Sequence, residues 1–453
     1  MQDSYFVETW GCQMNVLDSQ RLEGILLQRG LIRARTAAEA DVLLLNTCSV
    51  REKAVQKVLS FLGELRHAQA PSGSPRIVGL CGCVAEQEGE RLLRRGLGLS
   101  FVLGPGRVGQ LGAALDAVSA GKRISFTGFS ATQDYDAHLI ARGAAARQYV
   151  TVVHGCNQHC TFCIVPYTRG HEASRPVTEI VREAREIVAA GGREITLLGQ
   201  TVNAYRCPAS GSDLADLVVE VAAIDDLWRV QFLTSHPKFF TDKMIDKLAS
   251  IPKLGKCLHV PFQSGSDLIL KRMHRGYSRD QYLALVGRLR AAIPDLTLSA
   301  DAIVGFPGES EEDFAATLSV VEETGFGQLF GFLYSPRPRT PACRYLDRVP
   351  RTVASERLER LFAAQSAIQL ALNTRLIGRP VEVLVDEPAK RGSELWQGRG
   401  EDKRVINFPA WEGIRAGDLA IIEVTGATTH ALLGARKESG GSPASVSIKP
   451  QAA

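Results

Sequence analysis

No run of about 20 apolar residues occurs in this chain of 453 residues, so a membrane span is not expected. The first residues, Met1-Gln2-Asp3-Ser4-Tyr5-Phe6-Val7, show no basic stretch leading into an apolar one, which gives no sign of export. Ten cysteines are too sparse for a disulfide scaffold in a chain of this size. Charge is nearly balanced, and a formal net charge of +4 is only a weak hint of a polyanionic partner. No internal repeat stands out. What is left is an ordinary globular composition, 45% hydrophobic and 23% charged, with length for roughly three domains. The expected setting is the cytoplasm, where thiols stay reduced.

The cysteines are unevenly placed. Residues 154–163 read His-Gly-Cys-Asn-Gln-His-Cys-Thr-Phe-Cys, which sets Cys156, Cys160 and Cys163 at C-x3-C-x2-C with no fourth cysteine nearby. Three thiolates this close can hold three irons of a cubane iron–sulfur cluster, leaving the fourth iron open to bind and reduce something. A structural zinc site is the alternative; it wants four N or S ligands, and His159 is available as the fourth. The spacing resembles the signature of radical S-adenosylmethionine (SAM) enzymes. There the amino and carboxylate groups of SAM fill the open position, and one electron cleaves SAM to a 5′-deoxyadenosyl radical.

Strand and helix patterns alternate through the first 120 or so residues, with strands expected at 5–9, 41–45, 76–80 and 101–103 and helices at 18–29, 51–67, 86–95 and 108–119. Such a repeat forms a parallel sheet covered by helices, and ligands bind such sheets at the C-terminal strand ends. Cys12, Cys48 and Cys83 each follow one of these strands. Cys81 competes with Cys83, but a strand's last residue tends to pack inward, while the residue after the Gly82 turn is freer to reach a ligand. A poorly periodic stretch at 127–148 reads as a linker. Six further strand–helix units then suggest an incomplete (βα)6 barrel whose first strand leads into the C-x3-C-x2-C loop, on the catalytic face of such barrels. An amphipathic helix is expected at 353–373. After it the period changes to two, which reads as a small antiparallel β-barrel. The division is 1–125, 142–373 and 374–438, with a Gly/Ser/Pro-rich disordered tail at 439–453.

Longer words sharpen this. Gly11-Cys12-Gln13-Met14-Asn15 with Asp18-Ser19, Asn46-Thr47-Cys48, Gly82-Cys83-Val84-Ala85, and Cys163-Ile164-Val165-Pro166-Tyr167-Thr168-Arg169-Gly170-His171-Glu172 resemble the methylthiotransferases, specifically the MiaB-type enzymes that act on tRNA. Leu198-Gly199-Gln200-Thr201-Val202-Asn203-Ala204-Tyr205, Thr234-Ser235-His236-Pro237, Pro261-Phe262-Gln263-Ser264-Gly265-Ser266 and Ile303-Val304-Gly305-Phe306-Pro307-Gly308-Glu309 extend the likeness to about residues 4–436. The resemblance implies two 4Fe-4S clusters, one on Cys156, Cys160 and Cys163 and an auxiliary one on Cys12, Cys48 and Cys83, where sulfur is held before transfer. It implies a C-terminal TRAM domain, an RNA-binding module. It also implies methylthiolation at carbon 2 of the isopentenyl-adenosine beside the anticodon, in a tRNA anticodon stem-loop. The implied partners are an electron donor such as flavodoxin or ferredoxin, and proteins that deliver iron–sulfur clusters. The same chemistry on threonylcarbamoyl-adenosine, or on an Asp of a small-subunit ribosomal protein, is the alternative. Trp10 stands where Tyr is usual, and Arg339 where Gly often stands.

For SAM itself, Gly191, Gly192 and Glu194 before the second barrel strand are candidates to meet its amino group, since glycine lets the main chain approach a ligand. Val304 and Gly305 after the fifth strand are candidates to line its adenine. Tight turns explain the same residues without a ligand. Gly104-Pro105-Gly106-Arg107-Val108-Gly109 matches a dinucleotide fingerprint but lacks the acidic residue expected ~20 positions on, and reads as a helix start. Cys207, Cys257 and Cys343 lack metal spacing. Residues 375–438 carry ten Lys and Arg and ten Asp and Glu, so RNA binding there needs a one-sided patch. The patch suggested by the sequence is Arg399, Lys403 and Arg404 beside Trp396 and Phe408, though these could equally be a solvated strand edge.

Overall fold

A computed structural model of the chain describes residues 4–49, 52–65, 76–129, 140–143, 145–389 and 394–437. The N-terminal part runs β1 (Ser4–Trp10), α1 (Gln13–Gln28), β2 (Ile32–Arg33), β3 (Val42–Thr47), α2 (Glu52–Leu65), β4 (Ile77–Gly82), α3 (Cys83–Arg94), β5 (Phe101–Leu103), α4 (Leu111–Ser119) and β6 (Ile124–Phe126). All six strands pair in parallel, in the order β2-β1-β3-β4-β5-β6. Strand alternation sorts the side chains into two cores. Val42 and Leu44 pack with α1 and α4, while Leu43 and Leu45 pack with α2 and α3, giving three layers. The sheet is built outward in both directions from β1 and β3. The gap beyond their C-terminal ends is therefore the topological switch point, where sheets of this kind bind ligands.

Several elements differ from the sequence pattern: the short edge strands β2 and β6 were not expected, α3 starts at Cys83 rather than 86, and α4 at Leu111 rather than 108. The first helix starts at Gln13 rather than 18, because Cys12 takes the N-cap position and Asn15 closes a capping box with it. Strand β6 is three residues long, too short to carry a pattern, and extends one residue beyond the 1–125 division. Residues 66 and 67 of the second expected helix lie outside the described residues.

The central part continues with β7 (Arg147–Thr151), β8 (Val153–His154), α5 (Val165–Thr168), β9 (Ala173–Ser174), α6 (Val177–Ala189), β10 (Glu194–Leu198), α7 (Leu214–Ala222), β11 (Arg229–Phe232), α8 (Asp242–Ala249), β12 (Cys257–His259), α9 (Asp267–Arg272), α10 (Arg279–Ala292), β13 (Thr297–Val304), α11 (Glu311–Thr324), β14 (Gln328–Leu333) and α12 (Arg351–Thr374). Strands β7, β10 and β11 form one parallel triplet, and β12, β13 and β14 another. The triplets meet through a bridge between Val230 and Leu254 and through the Ser235 amide donating to the His259 carbonyl at 3.2 Å. This is the expected six-stranded open barrel. One apolar core fills it, from Val150 and Leu197 to Leu298 and Leu361.

The C-terminal part is a closed barrel of β15 (Pro380–Pro388), β16 (Leu395–Arg399), β17 (Val405–Pro409), β18 (Leu419–Ala427) and β19 (Leu432–Arg436). Four of its strand pairs are antiparallel, and the pair that completes the ring, β17 with β19, is parallel. Strand β16, Leu-Trp-Gln-Gly-Arg, has no clean alternation and was not expected from the sequence. This barrel docks on the N-terminal ends of the central strands. Arg229, at the start of β11, donates to the Gly400 carbonyl, Trp228 to Glu382, and Arg147, at the start of β7, pairs with Asp386. Lys256 reaches Glu401 through both its amide, at 3.0 Å, and its ammonium, at 3.2 Å. The expected tail at 439–453 lies outside the described residues. Among those described, no helix is long and apolar enough to cross a membrane.

Candidate functional site

The first cysteine triplet follows β7 and β8 in a loop that only a glycine can open. Gly155 has φ 69°, and a Cβ there would collide with the carbonyl of His171. The loop is tied down by the Cys156 amide on the Gly170 carbonyl at 3.1 Å and by Thr161, whose hydroxyl donates to the Arg272 carbonyl at 2.8 Å. Phe162 packs on an apolar cluster of Ile269, Met273, Phe306 and Ala342. Donors point at the sulfurs. The Gln158 amide lies 3.4 Å from Cys156 Sγ, the Thr201 hydroxyl 3.2 Å from the same sulfur, and the Arg275 guanidinium 3.4 Å from Cys160 Sγ. Burial pushes the Cys163 thiol up to about 12, with the neighbouring Cys160 acting in the same direction, and burial also raises Cys156. Thiols this reluctant to ionise become thiolates on binding a metal, and the surrounding donors then meet sulfur charge. The donor set fits an anionic iron–sulfur cluster. His159, the fourth ligand a zinc site would use, is exposed. Among the described residues, no three His, Cys, Asp or Glu side chains stand at single-ion spacing.

The second triplet is assembled by the N-terminal sheet. Cys12 follows β1, Cys48 follows β3, and Cys83 opens α3 after β4. Polar residues lock these loops together. Asn15 Oδ1 lies 3.3 Å from the Cys12 amide and 3.4 Å from its sulfur, while Asn15 Nδ2 donates to Asn46 Oδ1 at 3.1 Å. Asn46 Nδ2 in turn donates to the Asn15 carbonyl at 2.8 Å and to Ser19 Oγ at 2.9 Å. Gly82 has φ 85°, and a Cβ on it would meet Asn46 Oδ1 and, at 2.7 Å, the Thr47 carbonyl. The three thiols sense one another. A hydrogen bond with Cys48, helped by the Arg169 charge, lowers Cys12 to about 6, and Cys83 feels both Arg169 and Cys12. Cys12 is open to solvent yet surrounded by protein on most sides, as a group on a crevice floor is. Burial raises Cys83. Cys81 points the other way, into the core with Phe101 and Leu103.

Contacts join the domains that carry the two triplets. Thr151 of β7 touches Met14 of α1, with Oγ1 3.8 Å from the sulfur, and Arg169, after α5, donates to Asp18 of α1 at 2.8 Å.

The candidates for holding SAM divide. Gly191 and Gly192 precede β10 and Glu194 is its first residue, so all three sit at the N-terminal ends of the barrel strands. The cysteine loop leaves from the C-terminal ends, roughly 16 Å away along a five-residue strand. Glu194 is also occupied, with Arg229 at 3.5 Å beside the docked C-terminal barrel. The structure therefore does not bring these three residues together with the cysteine loop. The segment at the cysteine end of β10 is Gly199-Gln200-Thr201. Its Thr201 touches Cys156, and a Cβ on Gly199 would strike Val153. Val304 and Gly305 do end β13 on the cysteine face; Gly305 has φ 71° and its amide is held by Glu309 at 3.0 Å.

The residues of the suggested basic patch are not gathered on one exposed face. Lys403 lies against the central barrel beside Cys257 and Glu194, Arg404 pairs with Asp402, and Phe408 is fully buried. Arg436 and Lys437 are both exposed, with the Arg436 guanidinium 4.8 Å from the Trp411 ring centre. Cys207 and Cys257 are buried singly, and Cys343 is half-buried.

Two family models match this chain. The Radical SAM superfamily matches residues 150–321, and the Uncharacterized protein family UPF0004 matches residues 4–104. A curated tRNA-2-methylthio-N(6)-dimethylallyladenosine synthase of Alkalilimnicola ehrlichii is 41% identical over 439 residues, covering 96% of this chain and 97% of that protein. The synthase of the same name from Geobacter metallireducens is 42% identical over 435 residues, covering 95% and 97%. Among solved structures, the radical S-adenosylmethionine methyltransferase TsrM from Kitasatospora setae, with cobalamin and a [4Fe-4S] cluster bound, matches with a TM-score of 0.55 at 14% identity, over 76% of this chain and 74% of that one. At that identity the likeness is one of fold.

Proposed function

This chain belongs to the radical SAM methylthiotransferase family, and we propose that it installs a methylthio group on carbon 2 of isopentenyl-adenosine in tRNA, working with SAM and iron–sulfur chemistry. The observation that supports this reading is the contact between the loop after the first cysteine triplet and the helix that starts at Cys12 of the second, made by Arg169 on Asp18. Carbon 2 of an adenine ring bears an unactivated C–H bond that no side-chain base removes at neutral pH. With SAM at its open iron, a cluster on Cys156, Cys160 and Cys163 supplies hydrogen-atom abstraction, the chemistry such a bond demands.

The chain's own groups then do the rest. Arg275, Thr201 and the Gln158 amide steady the sulfurs of the first triplet. The Asn15–Asn46 pair holds the loops of the second, where Cys12, Cys48 and Cys83 carry an auxiliary cluster that presents sulfur. Gly199, Gln200 and Thr201, with Val304 and Gly305, line the SAM end of the crevice. The target base leaves the anticodon-loop stack to enter it. Domains 1–125, 142–373 and 374–438 divide the work into sulfur donation, radical generation and RNA contact. A flavodoxin- or ferredoxin-type donor supplies electrons and scaffold proteins deliver the clusters, in the cytoplasm where tRNA is met.

Mass spectrometry of tRNA nucleosides from a strain lacking this protein decides the substrate. Loss of 2-methylthio-isopentenyl-adenosine with accumulation of isopentenyl-adenosine is the expected result. Unchanged tRNA nucleosides would remove this substrate and return the ribosomal-protein alternative. In the purified protein, replacing Cys156, Cys160 and Cys163 by Ala is expected to lower iron from about eight to about four per chain and to abolish SAM cleavage. A triple variant that still cleaves SAM sinks the assignment.

A further inference from the structure

The segment that leaves the first cysteine triplet does not simply return to the barrel. Six residues after Cys163, past the single turn of α5, it delivers Arg169 to the second triplet. The Arg169 side chain is only 6% exposed, and its guanidinium donates to Asp18 Oδ2 at 2.8 Å, with the Asp18 side chain 5% exposed. Asp18 lies six residues along from the Cys12 cap of α1. The same guanidinium acts by its charge on Cys83 and Cys12. A second cation, Arg21, stands 3.9 Å from the other Asp18 oxygen and completes the set of charges around the carboxylate. Burying a guanidinium is costly unless it is paired, and here its partner is a carboxylate of the other domain, with two thiols within reach of its charge.

We propose that Arg169 is a positioning residue for sulfur transfer: a fixed cation, supplied by the radical-generating domain, that clamps the auxiliary cysteine site at a set distance from the first triplet and sets the charge felt by whatever cluster that site holds. Its planar fork engages Asp18 and the sulfur side together, which a lysine ammonium does less well. Asp18 is the counter-charge that aims it. The clamp rests on the two-cluster reading above.

A redox titration of the holoenzyme, followed by electron paramagnetic resonance, tests the clamp by the sign of charge. A nearby cation stabilises the extra electron of a reduced cluster, and a nearby anion opposes it. Arg169→Gln is expected to move the auxiliary cluster to a more negative midpoint potential, and Asp18→Asn to a more positive one. The cluster on Cys156, Cys160 and Cys163 serves as the internal reference. Arg169→Lys keeps the charge and is expected to stay near the wild-type potential. If Arg169→Gln fails to retain auxiliary iron, Arg169→Lys is expected to restore both iron and potential. Shifts of the same sign in Arg169→Gln and Asp18→Asn, or no shift in either, overturn the inference, as does an Arg169→Lys variant that behaves like Arg169→Gln. A wild-type content of about four irons per chain instead of about eight overturns the two-cluster reading itself and takes the clamp with it.

Discussion

At the scale of single residues, the sharpest contrast is between Cys81 and Cys83, which are separated only by Gly82. Strand pleating sends Cys81 into the core, 1% exposed among Phe101 and Leu103, where burial drives its thiol far above the ordinary range. The left-handed Gly82 then turns the chain so that Cys83 faces Cys12 and Arg169. Cys83→Ser is expected to lose the auxiliary iron, about half of the total. Cys81→Ser is expected to keep that iron and to lose about 1–3 kcal/mol of stability, the cost of burying an unpaired hydroxyl. Iron analysis and thermal unfolding of the two variants separate these outcomes, and the reverse pattern would show Cys81 to be the ligand. The cysteines were legible in the sequence because each ends a strand pattern. Their bracing was not, since Asn15, Asp18, Ser19 and Asn46 are buried polar residues that look like surface positions until their partners from other loops are known. Arg339 was legible only as an oddity; its φ of 71° explains why a glycine suits that position.

At the scale of elements, helices with strong local starts were legible in the sequence, and elements held by tertiary contact were not. Helices α10 and α11, expected from the sequence at 279–292 and 311–324, have those spans and begin with Ser278 and Ser310 in full capping boxes. The loop between β11 and α8 has no such signal, yet it carries a titratable switch. His236 packs against the rings of Phe239 and Tyr277 and accepts the Lys238 amide on Nδ1 at 3.2 Å. Burial, reinforced by the Arg275 and Lys238 charges, holds its imidazole down to about 2, against 6.5 when free. Below pH 6.5 the unfolded chain therefore binds a proton that the folded chain refuses, so stability is complete above that pH and drains as the pH falls. One such group accounts for at most about 1.4 kcal/mol per pH unit. His154, lowered well below its ordinary value by burial and by Arg21, Arg169 and Arg175, acts in the same direction. Wild type and His236→Gln, unfolded with denaturant between pH 7 and pH 5, are expected to show a stability difference that shifts in favour of the variant as the pH falls. A difference independent of pH would show that His236 titrates normally in the fold.

At the scale of the whole molecule, the central barrel is covered at both ends. The N-terminal domain closes over its cysteine face, and the C-terminal barrel seals the opposite end through Arg147, Trp228, Arg229 and Lys256. Removing everything after Thr374 therefore uncovers Arg229 and its neighbours as well as any RNA-binding surface, and a fall in tRNA affinity in that truncation would mix two causes. A cleaner probe lies on β19, where Arg436 and Lys437 are exposed and Arg436 rests on the Trp411 ring. A cation stacked on an aromatic ring at a barrel surface suits a phosphate and a base together. Arg436→Gln with Lys437→Gln is expected to weaken tRNA binding and to make the slope of log affinity against log salt shallower, by roughly 0.7–0.9 for each phosphate no longer neutralised. Thermal unfolding and SAM cleavage without tRNA are expected to match wild type, because neither side chain contributes to the seal. The truncation, in contrast, is expected to lower the unfolding temperature. Equal affinity and equal salt slope in the double variant would take RNA binding away from this face. An undiminished unfolding temperature in the truncation would show that the end seal does not brace the barrel.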